Sequence, residues 1–199
     1  MPRVSAERSR AQRARIVTAA VQVFAERGYG PTTIDAVCQV CGLSKGAVYT
    51  YVASKEELFL GASEHVFERR YAALAEAARD GDVDALLAAF TGSLEQDQRA
   101  FLRLWVEGFL LAEAIPDLAT LKSGYHERFA GLLVEVLQAA QRDGSLDPTL
   151  DARGAAVALM ALADGLLLHA LVPGSGPEPA QAASVLTDLF APWRGGSPA

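Results

Sequence analysis

Between Thr32 and Leu58 the chain reads TTIDAVCQVCGLSKGAVYTYVASKEEL, a run of helix starts and stops that leaves little freedom in how it folds. Thr32 and Asp35 form a cap-like pair that opens a helix to about Val40. Gly42 breaks it, Ser44 caps a second helix ending near Tyr51, and Ser54 with Glu57 make a capping box for a third. Two short helices across a glycine turn need apolar residues to dock one on the other. Ile34, Val37 and Val40 supply the buried face of the first; Leu43 and Val48 anchor the second. The other face of the second helix then presents Ser44, Lys45, Tyr49, Thr50 and Tyr51, with Lys55 just beyond.

The rest of the chain is helical in pattern as well. Ala and Leu abound, no β-branched run reads as a strand, and apolar residues recur at helical spacing. A first helix starts near Ser9, where Ser9 and Gln12 stand as a capping box, and stops at Gly28. The third capped helix continues to about Arg79 on a face of Phe59, Ser63, Phe67, Tyr71 and Leu74. Further helices are expected at about 83–95, 98–114, 117–142, 152–172 and 179–191, with breakers at Gly81-Asp82, Pro116, Gly144 and 172–179. The expected fold is all-α with about nine helices: an N-terminal three-helix helix-turn-helix domain and a larger C-terminal helical domain. The boundaries are 9–70 for the first, with the helix-turn-helix at about 33–52, and 71–192 for the second. Residues 193–199, ending in GGSPA, are expected to be a disordered tail.

Charge divides the chain in the same place. Its formal charge is −6, yet residues 1–55 carry eight Lys/Arg against Glu7, Glu26 and Asp35, or +5, which leaves −11 for the remainder. A basic head on an acidic body is the asymmetry expected where one end meets a polyanion. The donor-rich face fits that role chemically. The free N–H groups at a helix N-terminus favour a phosphate, and Lys45 is placed for a phosphate or a guanine edge. Gly46 lets the backbone approach the bases, and Tyr49 can meet a thymine methyl or the DNA backbone. Thr33 and Lys55 flank the groove. Arg8, Arg10, Arg13 and Arg15 either form an arm tracking the DNA or solvate the start of the first helix.

Residues from about Arg10 to His65, including RIVTAAVQVFAERGYGPTTI and CGLSKGAVYTYVASKEEL, resemble the DNA-binding domain of TetR-type bacterial transcriptional regulators. The resemblance implies a homodimer that binds double-stranded DNA at a palindromic operator, usually represses, and is released by a small-molecule effector in the C-terminal domain. Carried over by position, Thr33, Ser44, Lys45, Gly46, Tyr49, Thr50, Tyr51 and Lys55 match DNA-contacting positions of the family. Tyr51 stands where histidine is common, and Cys38 and Cys41 where small alanines are usual. The stretch GSLDPTLDARGAAVALMALADGLLLHALV looks like the family's penultimate helix, one of two that usually dimerise. Ala155 to Ala163 is apolar on every side, so this helix needs cover all round, and a partner subunit provides it through helices at about 152–172 and 179–191.

A ligand cavity is expected among the helices of 58–143 and 152–172, with Phe101, Trp105, Phe109, Tyr125, Phe129 and Met160 as lining and Glu107, His126 or Asp164 as polar partners. Plain core packing is the competing role for each aromatic. Cys38 and Cys41 are read as small packed hydrophobes, not a metal or redox switch, because zinc needs two further ligands and none lies nearby in sequence. No metal or cofactor is implied. The longest apolar run, Ala155 to Val172, contains Asp164, which costs about 2.5–3.5 kcal/mol inside a bilayer, so no membrane partner is expected. Two cysteines and the lack of a signal-like apolar run after the N-terminal arginines suggest a reducing cytosol. Enzyme motifs such as H-E-x-x-H, a P-loop or G-x-G-x-x-G are missing, which argues against catalysis. The alternative class is a helical enzyme or binding module whose basic head is incidental.

Overall fold

Capping chemistry sets the helix boundaries in the computed structural model, which describes residues 6–79, 81–92, 98–170, 172 and 179–194. Nine α-helices occur among the described residues: α1 (Ala6–Arg27), α2 (Ile34–Cys41), α3 (Lys45–Tyr49), α4 (Lys55–Ala77), α5 (Val83–Gly92), α6 (Gln98–Leu111), α7 (Pro116–Asp143), α8 (Ala152–Ala170) and α9 (Pro179–Phe190). No strand is found among them, and none of these helices is long and apolar enough to cross a membrane.

Three boundaries differ from expectation. Helix α1 starts ahead of Ser9, and Arg10 Nε donates to Ala6 O, so Ser9 is not its cap. The cap of α2 is Thr33, whose hydroxyl accepts from Ala36 N–H, while Thr32 is buried and donates its hydroxyl to Gly28 O at 2.6 Å. The two adjacent threonines thus divide two tasks, one opening α2 and one tying down the end of α1. Pro116 opens α7 at its first helical position, where its missing N–H costs nothing.

The chain divides into two compact units that are not contiguous in sequence. Met1–Glu68 and Arg99–Leu121 make the first; Arg69–Gln98 and Lys122–Ala199 make the second. Helices α4 and α7 each contribute residues to both. In the first unit Ile16, Ala20, Phe24, Val37, Val48, Leu58 and Phe59 are buried. The Phe59 ring stands edge-on to Phe24 and to Tyr29, each at 5.0 Å. Truncating a ring buried this fully costs about 3–5 kcal/mol.

The second unit has its own core, with Leu74, Leu86, Leu133, Leu137, Ala156, Leu159 and Leu186 buried together. Its last described residues are held in place: Asp147 N–H donates to Trp193 O at 2.7 Å, and the Arg194 guanidinium pairs with Asp84. Trp193 and Arg194 are therefore structured, and the rest of the expected tail, 195–199, lies outside the described residues. Residues 173–178 of the expected 172–179 breaker and residues 93–95 of the expected 83–95 helix lie outside them too.

Candidate nucleic-acid interface

Helices α2 and α3 meet across Leu43 and the left-handed Gly42, whose φ of 65° suits a residue without Cβ and whose N–H donates to Cys38 O. Ile34, Ala36, Val37, Cys41 and Val48 are buried at this junction. Val40, expected inside, is exposed; Cys41 takes the inward position one residue later. The inward turn of α2 is thus filled by a thiol that bonds Cys38 O, and both cysteines are free. Burial, then Cys41 and Asp35, pushes the Cys38 thiol upward, away from the thiolate form a reactive cysteine needs.

The opposite face is the donor-rich surface. Ser44 caps α3 by accepting from Ala47 N–H, which occupies a lone pair and leaves its O–H proton to donate outward. Thr33 does the same for α2. Gly46 is open: a Cβ built there meets no heavy atom within 4 Å. Tyr49 is exposed beside it, Thr50 donates its hydroxyl to Gly46 O, and Tyr51 is half-buried.

The two lysines are held before any partner arrives. Lys45 Nζ lies 3.0 Å from Asp35 Oδ2, and that carboxylate keeps the ammonium above its usual range. Asp35, expected only as part of a helix cap, therefore orients the central cation of the face. Lys55 Nζ donates to Tyr29 O at 3.0 Å and to Gly30 O at 3.3 Å, over the Tyr29 ring at 4.2 Å. It closes the turn between α1 and α2 and retains a third N–H for an outside acceptor. Tyr29 is fixed by donating its phenol to Glu56 at 2.9 Å; burial, and then that bond, pushes it up to about 12.

Glu107, expected as a ligand partner, is instead committed to this turn: its carboxylate accepts the Tyr29 backbone N–H and pairs with Arg103 at 3.3 Å. It fills the space beside Gly28, whose φ is 80°.

The candidate ligand residues fall into two groups. Phe101 and Trp105 are buried in the first unit against Phe67, and Phe109 is exposed next to Trp105. Tyr125, His126, Phe129, Met160 and Asp164 belong to the second unit, where Tyr125 stacks on Phe129 and His126 Nε2 lies 3.8 Å from Asp164 Oδ2. Sequence reasoning missed two residues in this second group, the buried cations Arg70 and Lys122.

Comparison with known proteins places both parts of the chain. Residues 16–62 match the model for bacterial regulatory proteins of the tetR family, and 79–191 match that for the C-terminal part of BetI-type transcriptional repressors. The regulator YerO of Bacillus subtilis is 43% identical over 51 residues, which span only 18% of that protein's length. The HTH-type transcriptional repressor Rv1474c of Mycobacterium tuberculosis is 28% identical over 94% of this chain and 95% of its own. A Saccharomonospora viridis transcriptional regulator solved in complex with choline superposes with a TM-score of 0.77 at 22% identity, over 94% of this chain and all of that one.

Proposed function

Because the chain belongs to the tetR family of bacterial regulatory proteins, we propose that it is a homodimeric repressor that binds a palindromic operator through α3 and leaves it when a small molecule enters the second unit. The observation that carries DNA recognition is the two-sidedness of the α2–α3 hairpin. Its apolar side is consumed by Val37, Cys41 and Val48, while Ser44, Lys45, Gly46 and Tyr49 share an exposed side with a helix N-terminus. Ser44 and Thr33 hydroxyls serve phosphates, Lys45 leaves Asp35 for a phosphate or a guanine, and Gly46 admits the DNA backbone or base edge. No enzymatic activity is assigned, and the site of action is the cytosol.

Dimerisation is supported by apolar surface on the last two helices. Helix α8 buries Ala152, Ala156, Leu159 and Ala163 but turns Val157, 65% exposed, and Leu168 outward; α9 buries Leu186 and exposes Val185 and Leu189. Partly buried helices with a second apolar stripe are suited to a two-fold partner.

Release works by population shift. Helix α4 starts at Lys55, beside the DNA-facing turn, and its later residues belong to the second unit. A ligand that prefers one placement of α4 changes the spacing of the dimer's two α3 helices, and ~1.4 kcal/mol of preference gives tenfold release. Genomic footprinting tests the reading. Half-sites centred about 34–36 Å apart, or a multiple, are expected; protection without any two-fold repeat contradicts it.

A further inference from the structure

The turn between α1 and α2 is held from a helix outside the hairpin. Glu107 stands on α6, whose Phe101 and Trp105 rings pack against Phe67 of α4 within the first unit. From there its carboxylate accepts the Tyr29 backbone N–H and the Arg103 Nε–H, and its side chain is only 23% exposed. The Tyr29 carbonyl in turn accepts from Lys55 Nζ, as does that of Gly30, and the Tyr29 ring lies 4.2 Å from the ammonium. The phenol at its far end donates to Glu56 in the first turn of α4. Tyr29 therefore joins a carboxylate of α6 to the lysine that opens α4.

Packing alone does not account for a carboxylate at this position. A mostly buried acid costs more than an apolar side chain of similar size unless its hydrogen bonds are needed. Its negative charge also sits one residue's backbone away from a lysine read as facing a polyanion, where repulsion works against binding. Gly28 is what admits it, since a Cβ there would run into Glu107 Oε1. The arrangement fixes the Tyr29 peptide and, through it, the two carbonyls that hold Lys55. A lysine gripping a phosphate loses rotamer freedom, and a side chain already held has less to lose.

We propose that Glu107 is a positioning residue for DNA binding: by accepting the Tyr29 N–H it fixes the Tyr29 and Gly30 carbonyls, so that Lys55 is set to offer its remaining N–H to a phosphate before DNA arrives. This deepens, and rests on, the reading of Lys55 as a DNA contact.

The test is a double-mutant cycle between Glu107→Leu and Lys55→Met in the full-length chain, read by fluorescence anisotropy on a footprinted duplex. Each single substitution should weaken binding about three- to tenfold, and the double variant should bind no more weakly than Lys55→Met alone. Glu107→Gln, whose amide oxygen still accepts the Tyr29 N–H, should recover most of the loss. Glu107→Asp keeps the charge but withdraws the oxygen by one methylene, so it should not; it replaces Glu107→Leu in the cycle if that variant fails to melt cooperatively. A merely structural role would weaken binding equally with or without Lys55 and would not couple the two positions. Affinity unchanged by Glu107→Leu and Glu107→Asp, losses that add in full to that of Lys55→Met, or a Glu107→Gln protein no better than Glu107→Leu overturns the proposal. If Lys55→Met itself leaves affinity unchanged, the reading of Lys55 falls and this proposal with it; if Lys55→Met weakens binding and Glu107 does not couple to it, only this proposal falls.

Discussion

Lys122 makes stability depend on pH in the direction opposite to that of an ion-paired lysine. Its ammonium titrates near 10.5 in the unfolded chain and is pulled down to about 7 by burial in the folded one, with Asp164 offsetting part of the loss. Between those values the unfolded state holds a proton that the folded state has released, so stability rises as pH rises through this window. Below about 7 both states are protonated and the contribution is flat at its least favourable. The full span is about 5 kcal/mol at 1.36 kcal/mol per pH unit. Lys122→Met has similar reach and no charge. It should stabilise the protein at pH 7 by up to about 4 kcal/mol, and this advantage should shrink by about 1.4 kcal/mol per pH unit up to pH 9.5. Urea melts of both proteins at matched pH provide the difference, in which the titrations of all other groups cancel. An advantage that stays constant from pH 7 to 9.5, or a Lys122→Met protein less stable at pH 7, refutes the burial argument.

Other perturbations separate folding from recognition. Gly46→Ala meets no neighbour, so it should leave stability equal or raised by up to about 1 kcal/mol, while DNA affinity falls if the backbone approaches DNA there; melts and fluorescence anisotropy read the two effects. Asp35→Asn releases Lys45 and should raise affinity for unrelated DNA several-fold, measured by the same anisotropy assay with a scrambled duplex. Gly28→Ala forces a Cβ onto a left-handed residue and into the Glu107 carboxylate, which should cost at least about 1–2 kcal/mol by thermal melting. Val157→Glu or Leu189→Glu places charge on the exposed apolar stripe and should shift light scattering from dimer to monomer.

What was legible in the sequence is local. Ser44 accepting from Ala47 N–H and Ser54 from Glu57 N–H are contacts three residues apart, so the caps of α3 and α4 could be read from spacing. The choice between Thr32 and Thr33 could not, because Thr32 is claimed by Gly28 O, a partner outside α2. Charged residues on an amphipathic helix read as a solvent face, which concealed Lys122, buried and within electrostatic reach of Asp164 on α8. The aromatics of α6 were grouped with those of α7 because both lie in the C-terminal stretch, yet residues 99–121 pack in the first unit. Glu107 shows the same limit: its partner, the Tyr29 N–H, is 78 residues away.

The central claim, that the exposed face of α3 grips DNA through charge, is tested most directly by the salt dependence of DNA binding. On duplex containing a footprinted site, log K should fall linearly with log salt by about 0.9 for each phosphate neutralised, and Lys45→Ala should flatten that slope by about one such step. Affinity independent of salt, or a slope that Lys45→Ala leaves unchanged, contradicts the account.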